Sequence, residues 1–328
     1  MADAIQPCLE VRDLVVEFPN RHGTLTPLNE VSLTIQPGEI LGVVGESGAG
    51  KSMTGLAILG LLERPGRVTA GEIYLEGRRI DQLSDADMEK VRGREIGAIF
   101  QDPLTSLNPL FTIGDQLGET IRQHMPATGK KQARARAIEL LREVGIPAPE
   151  ERVDQYPHQF SGGMRQRVVI ALALAARPKL VIADEPTTAL DVSIQAQITG
   201  LLRRLCKENG TAVMLVTHDM GVIAETADRV AVMYAGRLIE IGPVDKVLKA
   251  PSHPYTRGLM ASIPALGARV KELNQIDGSM PRLNATPPGC AFNPRCHEAG
   301  PRCRTERPAL VPTNSGLAAC WLHNGGVA

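Results

Sequence analysis

Short apolar runs alternate with stretches of helical apolar spacing along this chain. Leu9 to Phe18 has partial period-two alternation and predicts a strand; Val31 to Ile35 alternates again, with a polar turn region from Pro19 to Pro27 between them. Glu39 to Val44 is a short, continuously apolar strand, and Met53 to Leu62 is rich in helix formers. Gly71 to Gly77 predicts a strand ending in a turn, and Ile96 to Phe100 another strand. From Leu104 to Pro157 the spacing becomes helical, broken at Pro109, Pro126, Gly129 and Pro147. Inside this section Lys131 to Val144 predicts a basic amphipathic helix with Ala133, Ala137, Ile138, Leu141 and Val144 on one side. Its charged face is that of an ordinary solvated helix rather than a nucleic-acid surface. Ser161 is an N-cap for a helix to about Ala176; Leu180 to Ala183 and Ala212 to Val216 are buried strands around a helix from Ile194 to Cys206. Strands near Arg229 to Tyr234 and Arg237 to Ile241 close the core. This alternation predicts a doubly wound α/β fold with buried parallel strands, and ligand chemistry at their carboxyl ends.

One stretch carries the chemistry. Gly45-Glu46-Ser47-Gly48-Ala49-Gly50-Lys51-Ser52 matches G-x-x-x-x-G-K-[ST], the phosphate-binding loop of P-loop NTPases, between a strand and a helix as that motif requires. Glycines let backbone N–H groups turn inward, and the helix starting near Met53 adds its positive end. Lys51 is placed to reach the β- and γ-phosphates and the Ser52 hydroxyl to ligate Mg²⁺.

Further candidates fall at strand ends. An apolar strand ending in Asp184-Glu185 is the Walker B arrangement, with Asp184 holding Mg²⁺ and Glu185 beside the attacking water. His218 follows another strand, and Gln101 another. Ser161-Gly162-Gly163 opens a helix with accessible first-turn N–H groups, a second anion site. Phe18 is either a turn aromatic or a platform for adenine.

Composition narrows the picture. The 328 residues carry equal numbers of acidic and basic side chains and only 3% aromatics, which counts against a nucleic-acid coat or a base-stacking platform. Met1 to Glu10 lacks a signal-peptide core, and the apolar run Val168 to Ala176 is too short to span a bilayer. A soluble cytoplasmic chain is expected, reaching a membrane only through a partner. Cys8 and Cys206 read as buried small hydrophobes. Cys290, Cys296, Cys303 and Cys320 lie together in a Pro-rich tail, where a reducing compartment favours metal binding over disulfides. No C-x-x-C pair occurs, so the usual zinc spacing is absent; an iron–sulfur cluster, zinc and plain reduced thiols all stand.

The ordered set resembles the ATP-binding subunit of ABC transporters over about residues 8–245: the P-loop, Gln101, Phe160 to Arg167, Asp184-Glu185, Thr188-Ala189-Leu190-Asp191 and His218. Phe160 to Met164 departs at two positions from the commonest Leu-Ser-Gly-Gly-Gln form, without loss of the serine or glycines. The resemblance implies a P-loop NTPase core (ABC ATPase) over 1–103 and 161–245, a helical subdomain at 104–160, and a C-terminal extension at 246–328. It implies ATP and Mg²⁺ bound by Gly45, Ser47, Gly48, Ala49, Gly50, Lys51, Ser52 and Met53, with Phe18 on adenine. Gln101 would sense Mg²⁺ and water, Asp184 hold the metal, Glu185 act as general base and His218 contact the γ-phosphate. Ser161, Gly162, Gly163 and Asp191 would serve the nucleotide of a second, facing subunit.

A narrower resemblance, to the dipeptide/oligopeptide and nickel importer ATPases, rests on Asp102 to Pro109, His253 to Arg257 and Gly289 to Cys296. It implies an ATPase at the cytoplasmic face of the membrane, paired with a related ATPase subunit. Two transmembrane permeases and an extracytoplasmic binding protein would complete the system, and no nucleic acid takes part. Members of this group are similar in carrying a 4Fe–4S cluster on a C-terminal cysteine set, here Cys290, Cys296, Cys303 and Cys320. The competing expectations are a nickel or other small-solute importer, and a soluble ABC-type ATPase of DNA repair or translation. Against the last stand the single cassette and the lack of a long coiled coil.

Overall fold

The structure is a computed structural model that describes residues 6–21, 23–188, 190–262 and 275–323. Its chain divides into two compact units. The first comprises Met1–Leu9, Ile35–Ile40 and Tyr74–Val216. Three parallel strands run through it in the order Ile96–Ile99, Leu180–Asp184, Ala212–Val216, with Ile99 opposite Ala183 and Asp184 opposite Val216. All five residues of Ala212–Val216 are buried, hence the continuous apolar run rather than an alternating one.

The helical section of this unit forms as its spacing predicts. Helix Ile113–His124 is capped by Thr112, whose hydroxyl accepts from the Asp115 N–H at 3.1 Å, and buries Ile113, Leu117 and Ile121. Helix Lys130–Glu143 buries Ala133, Ala137, Leu140 and Leu141. Its three arginines meet acids of the same unit: Arg134 pairs with Asp154, Arg136 with Glu143 and Arg142 with Glu150. Helix Val192–Asn209 stops at Gly210, whose φ of 66° supplies the left-handed cap.

The second unit comprises Glu10–Thr34, Leu41–Ile73 and Thr217–Ala328. Here the P-loop strand Ile40–Val44 pairs in parallel with Arg229–Tyr234, Val44 lying opposite Val232. Arg229–Tyr234 then forms a hairpin with Arg237–Pro243 through Ala235 and Gly236, at φ 46° and 78°, the two left-handed residues that a type I′ turn demands. Strands Gly316–Ala318 and Val311–Thr313 continue the sheet antiparallel.

The buried strands are parallel, as expected, while among the described residues every pairing from Arg237 onward is antiparallel, because a two-residue turn can only return the chain alongside itself. One expectation is corrected. The stretch up to Pro27 is not a turn region. Strand Gly23–Ile35 already includes it, with Pro27 buried, and this strand is the edge of its sheet, where a missing N–H is tolerated.

The tail is anchored by a buried acid. Glu240 is fully buried and accepts from the N–H groups of Ser252 (2.7 Å) and His253 (3.0 Å) and from the Ser315 hydroxyl (2.7 Å). A carboxylate there is tolerable because these three donors replace its water.

Candidate nucleotide site

In the second unit the chain leaves strand Ile40–Val44 at Gly45 and enters helix Lys51–Ile58 after Gly50. Gly45, Gly48 and Gly50 have φ of 150°, 81° and 107°, closed to ordinary side chains. Space forbids a side chain too: a Cβ on Gly45 would lie 2.3 Å from the Met233 carbonyl oxygen. Lys51 is buried, its Nζ donating to the carbonyls of Gly45 (2.8 Å) and Glu46 (3.0 Å), while Ser47 and Ser52 are exposed and Met53 half-buried. Backbone turn and ammonium together make a compact cationic cradle suited to phosphate.

His218 belongs to the same unit. The preceding Thr217 N–H donates to the Val43 carbonyl at 3.2 Å, which brings the exposed His218 to the carboxyl end of the P-loop strand. Phe18 is half-buried, its ring so close to Gly66 that a Cβ there would come within 2.3 Å.

The first unit holds the carboxylates. Asp184 ends strand Leu180–Asp184, half-buried. Glu185 follows at φ 46°, a left-handed conformation that costs a non-glycine residue about 1 kcal/mol or more. Its N–H donates to the Val216 carbonyl at 2.8 Å, and Oε2 accepts from Gln101 Nε2 (3.1 Å) and the Thr188 hydroxyl (2.9 Å). Gln101 and Glu185, 84 residues apart in sequence, are thus held together by side chains.

The signature segment lies in this unit as well. The exposed Ser161 hydroxyl caps helix Gly162–Leu174, accepting from the Met164 N–H at 3.3 Å. Gly163 packs so tightly on Ile194 that a Cβ would fall 2.8 Å from it, so this glycine serves helix packing as well as N–H access. Asp191 caps helix Val192–Asn209; hydrogen bonds from the Ile194 N–H and then the Ser193 hydroxyl hold its carboxyl below the usual range. Ala189 of the same stretch lies outside the described residues.

The comparisons with known proteins agree with this chemistry. Residues 28–188 match the ABC transporter family, and residues 239–303 the C-terminal region of oligopeptide/dipeptide transporters. The oligopeptide transport ATP-binding protein AppD of Bacillus subtilis (strain 168) is 46% identical over 317 residues, covering 96% of each chain. The chain belongs to the ATP-binding proteins of ABC transporters. Among other relatives of this ABC ATPase, the dipeptide transport ATP-binding protein DppD of the same organism is 47% identical over 98% of this chain and 96% of its own. Of solved structures, the cassette MJ0796 bound to ADP and Pi, in a dimeric post-hydrolysis state, is 30% identical with a TM-score of 0.64. That match covers 72% of the ABC ATPase and 98% of the cassette. ATP and Mg²⁺ are the cofactors of such an ATPase.

The four tail cysteines of the ABC ATPase are free thiols lining one cavity of about 190 Å³, together with His253, Phe292 and Trp321. Burial pushes the Cys290 thiol up to about 11 and raises those of Cys296 and Cys320. Among the described residues no group of three or more His, Cys, Asp or Glu side chains converges on a point where one metal ion could sit. Among these residues, too, no helix is long and apolar enough to cross a membrane. Cys8 and Cys206 are core residues, each 2% exposed, as expected.

Sequence reasoning passed over two partners of the loop: Tyr255 and Arg295 both bond Glu46. Their stretches, His253 to Arg257 and Gly289 to Cys296, stood out as motifs without a role.

Proposed function

We propose that this ABC ATPase energises import of di- and oligopeptides, binding and hydrolysing ATP at the cytoplasmic face of the membrane. The extent of the likeness carries this reading: relatives named for peptide transport match over more than nine-tenths of the chain, tail included. Lys51 and the N–H groups of Gly45 to Met53 hold the phosphates, Ser52 and Asp184 the Mg²⁺, and Phe18 the adenine. Glu185 takes a proton from the attacking water, oriented by Gln101, while His218 steadies the γ-phosphate. Ser161, Gly162, Gly163 and Asp191 face the nucleotide of a second ATPase subunit, a paralogue. Residues 1–103 and 161–245 act as the nucleotide core, 104–160 as the helical subdomain that meets the permeases, and 246–328 as the extension. Leu110 and Phe111, 80% and 52% exposed not far beyond Gln101, suit a permease contact.

The four cysteines line one cavity, which supports a shared centre rather than separate roles. Cys290, Cys296, Cys303 and Cys320 would hold a 4Fe–4S cluster, whose chemistry is one-electron redox or structural cross-linking.

A tagged chain recovered from gently solubilised membranes tests the main reading. Two permeases and a second ATPase are expected with it, and ATPase activity that rises with a peptide-loaded binding protein. Response to nickel in place of peptide would move the cargo to a metal; recovery with DNA or ribosomes alone would overturn transport. Anaerobically purified protein should hold iron and acid-labile sulfide in equal amounts, and stoichiometric zinc would remove the cluster.

A further inference from the structure

Within the second unit, one residue of the P-loop has every polar group engaged. The Glu46 N–H donates to the Tyr255 hydroxyl at 2.9 Å, a residue 209 positions away. Its carbonyl receives Lys51 Nζ at 3.0 Å. Both carboxylate oxygens accept from one nitrogen of Arg295, each at 3.0 Å. Glu46 is therefore the point where the phosphate-binding lysine and the C-terminal extension meet.

The extension's side of this contact is buried and densely hydrogen-bonded. The Arg295 side chain is 7% exposed, and it also donates to the carbonyls of Asp277 (2.7 Å), Ile276 (3.2 Å) and Gly278 (3.4 Å) and to the Tyr234 hydroxyl (3.3 Å). Tyr234 and Tyr255 pack edge-on with each other and with Phe292 of the loop that runs from Cys290 to Cys296, ring centroids 4.7–5.4 Å apart. Met280 adds a lid contact: its Cε lies 3.1 Å from where a Cβ on Gly48 would stand. A planar, five-donor guanidinium reaches a carboxylate and several carbonyls at once; an ammonium, with three donors on one nitrogen, can hold only part of this set.

We propose that Arg295 and Tyr255 are positioning residues of the ATP site, holding Glu46 and thereby the carbonyls on which Lys51 rests. The cysteine-bearing extension is then energetically part of nucleotide binding, and by linkage bound nucleotide steadies the loop from Cys290 to Cys296. This rests on the nucleotide reading of the P-loop.

The test uses the full chain and MgATP. Arg295→Gln should raise the nucleotide Kd about tenfold, with kcat at saturating ATP much less affected, and Arg295→Lys should recover part of the loss. Tyr255→Phe keeps the ring and should raise Kd about threefold, which keeps the idea testable if Arg295→Gln fails to fold. Glu46→Gln should weaken binding as Arg295→Gln does, and the double variant should be no worse than either alone. Hydrogen exchange in 290–296 should slow on MgATP binding in the wild type and not in Arg295→Gln. Wild-type Kd in both single variants, additive losses, or exchange indifferent to nucleotide would each overturn the proposal. A wild-type chain that does not bind MgATP would instead overturn the nucleotide reading beneath it.

Discussion

Replacing Glu185 by glutamine separates chemistry from binding. The amide is isosteric with the carboxylate, and its oxygen can still accept from Gln101 Nε2 and the Thr188 hydroxyl, now at 3.1 and 2.9 Å from Oε2. Only the charge reinforcement of two half-exposed hydrogen bonds is lost, so stability should change by no more than about 1 kcal/mol. Proton abstraction is lost altogether, because an amide is no base at neutral pH. General-base contributions of about 100- to 10,000-fold correspond to roughly 2.7–5.5 kcal/mol of transition-state stabilisation. Phosphate release at saturating MgATP should therefore fall by at least about 100-fold, while the nucleotide Kd stays within about threefold. Gel filtration with ATP and the partner ATPase subunit should show the variant trapped in a closed dimer. A variant turning over within about threefold of wild type would refute the assignment of Glu185 as base.

Other outcomes follow from the same geometry. Gly45→Ala forces a Cβ to within 2.3 Å of the Met233 carbonyl oxygen and should weaken nucleotide binding by about tenfold or more in a titration. Gly200→Ala, in the open on helix Val192–Asn209, should raise stability by about 0.5–1 kcal/mol in urea unfolding. Glu240→Ala strands the donors of Ser252, His253 and Ser315 and should cost about 3 kcal/mol or more in the same assay, with Glu240→Gln recovering part. Burial pushes the Cys8 thiol up to about 11, so at pH 8 only about one in a thousand is thiolate. Iodoacetamide should spare Cys8 in the native chain and label it after urea, and raising the pH should increase the native rate; rapid native labelling at pH 8 would contradict its burial.

The parts of the site made of contiguous residues were legible in the sequence. A loop of the P-loop kind writes its turn, its lysine and its Mg²⁺ hydroxyl into eight consecutive positions, and strand-end motifs such as Asp184-Glu185 follow an apolar run that admits one reading. Family likeness rests on the same local spelling. The antiparallel run from Arg237 onward did not show, since an apolar run buried on both faces looks alike in either pairing; the left-handed turn at Ala235-Gly236 decided it. Partners distant along the chain were equally silent. Gln101 beside Glu185, Arg295 and Tyr255 on Glu46, and four cysteines around one cavity depend on where separate segments come to rest. Sequence spacing carries no term for that, because such side-chain bonds depend on where the backbone hydrogen bonds and the core hold both ends.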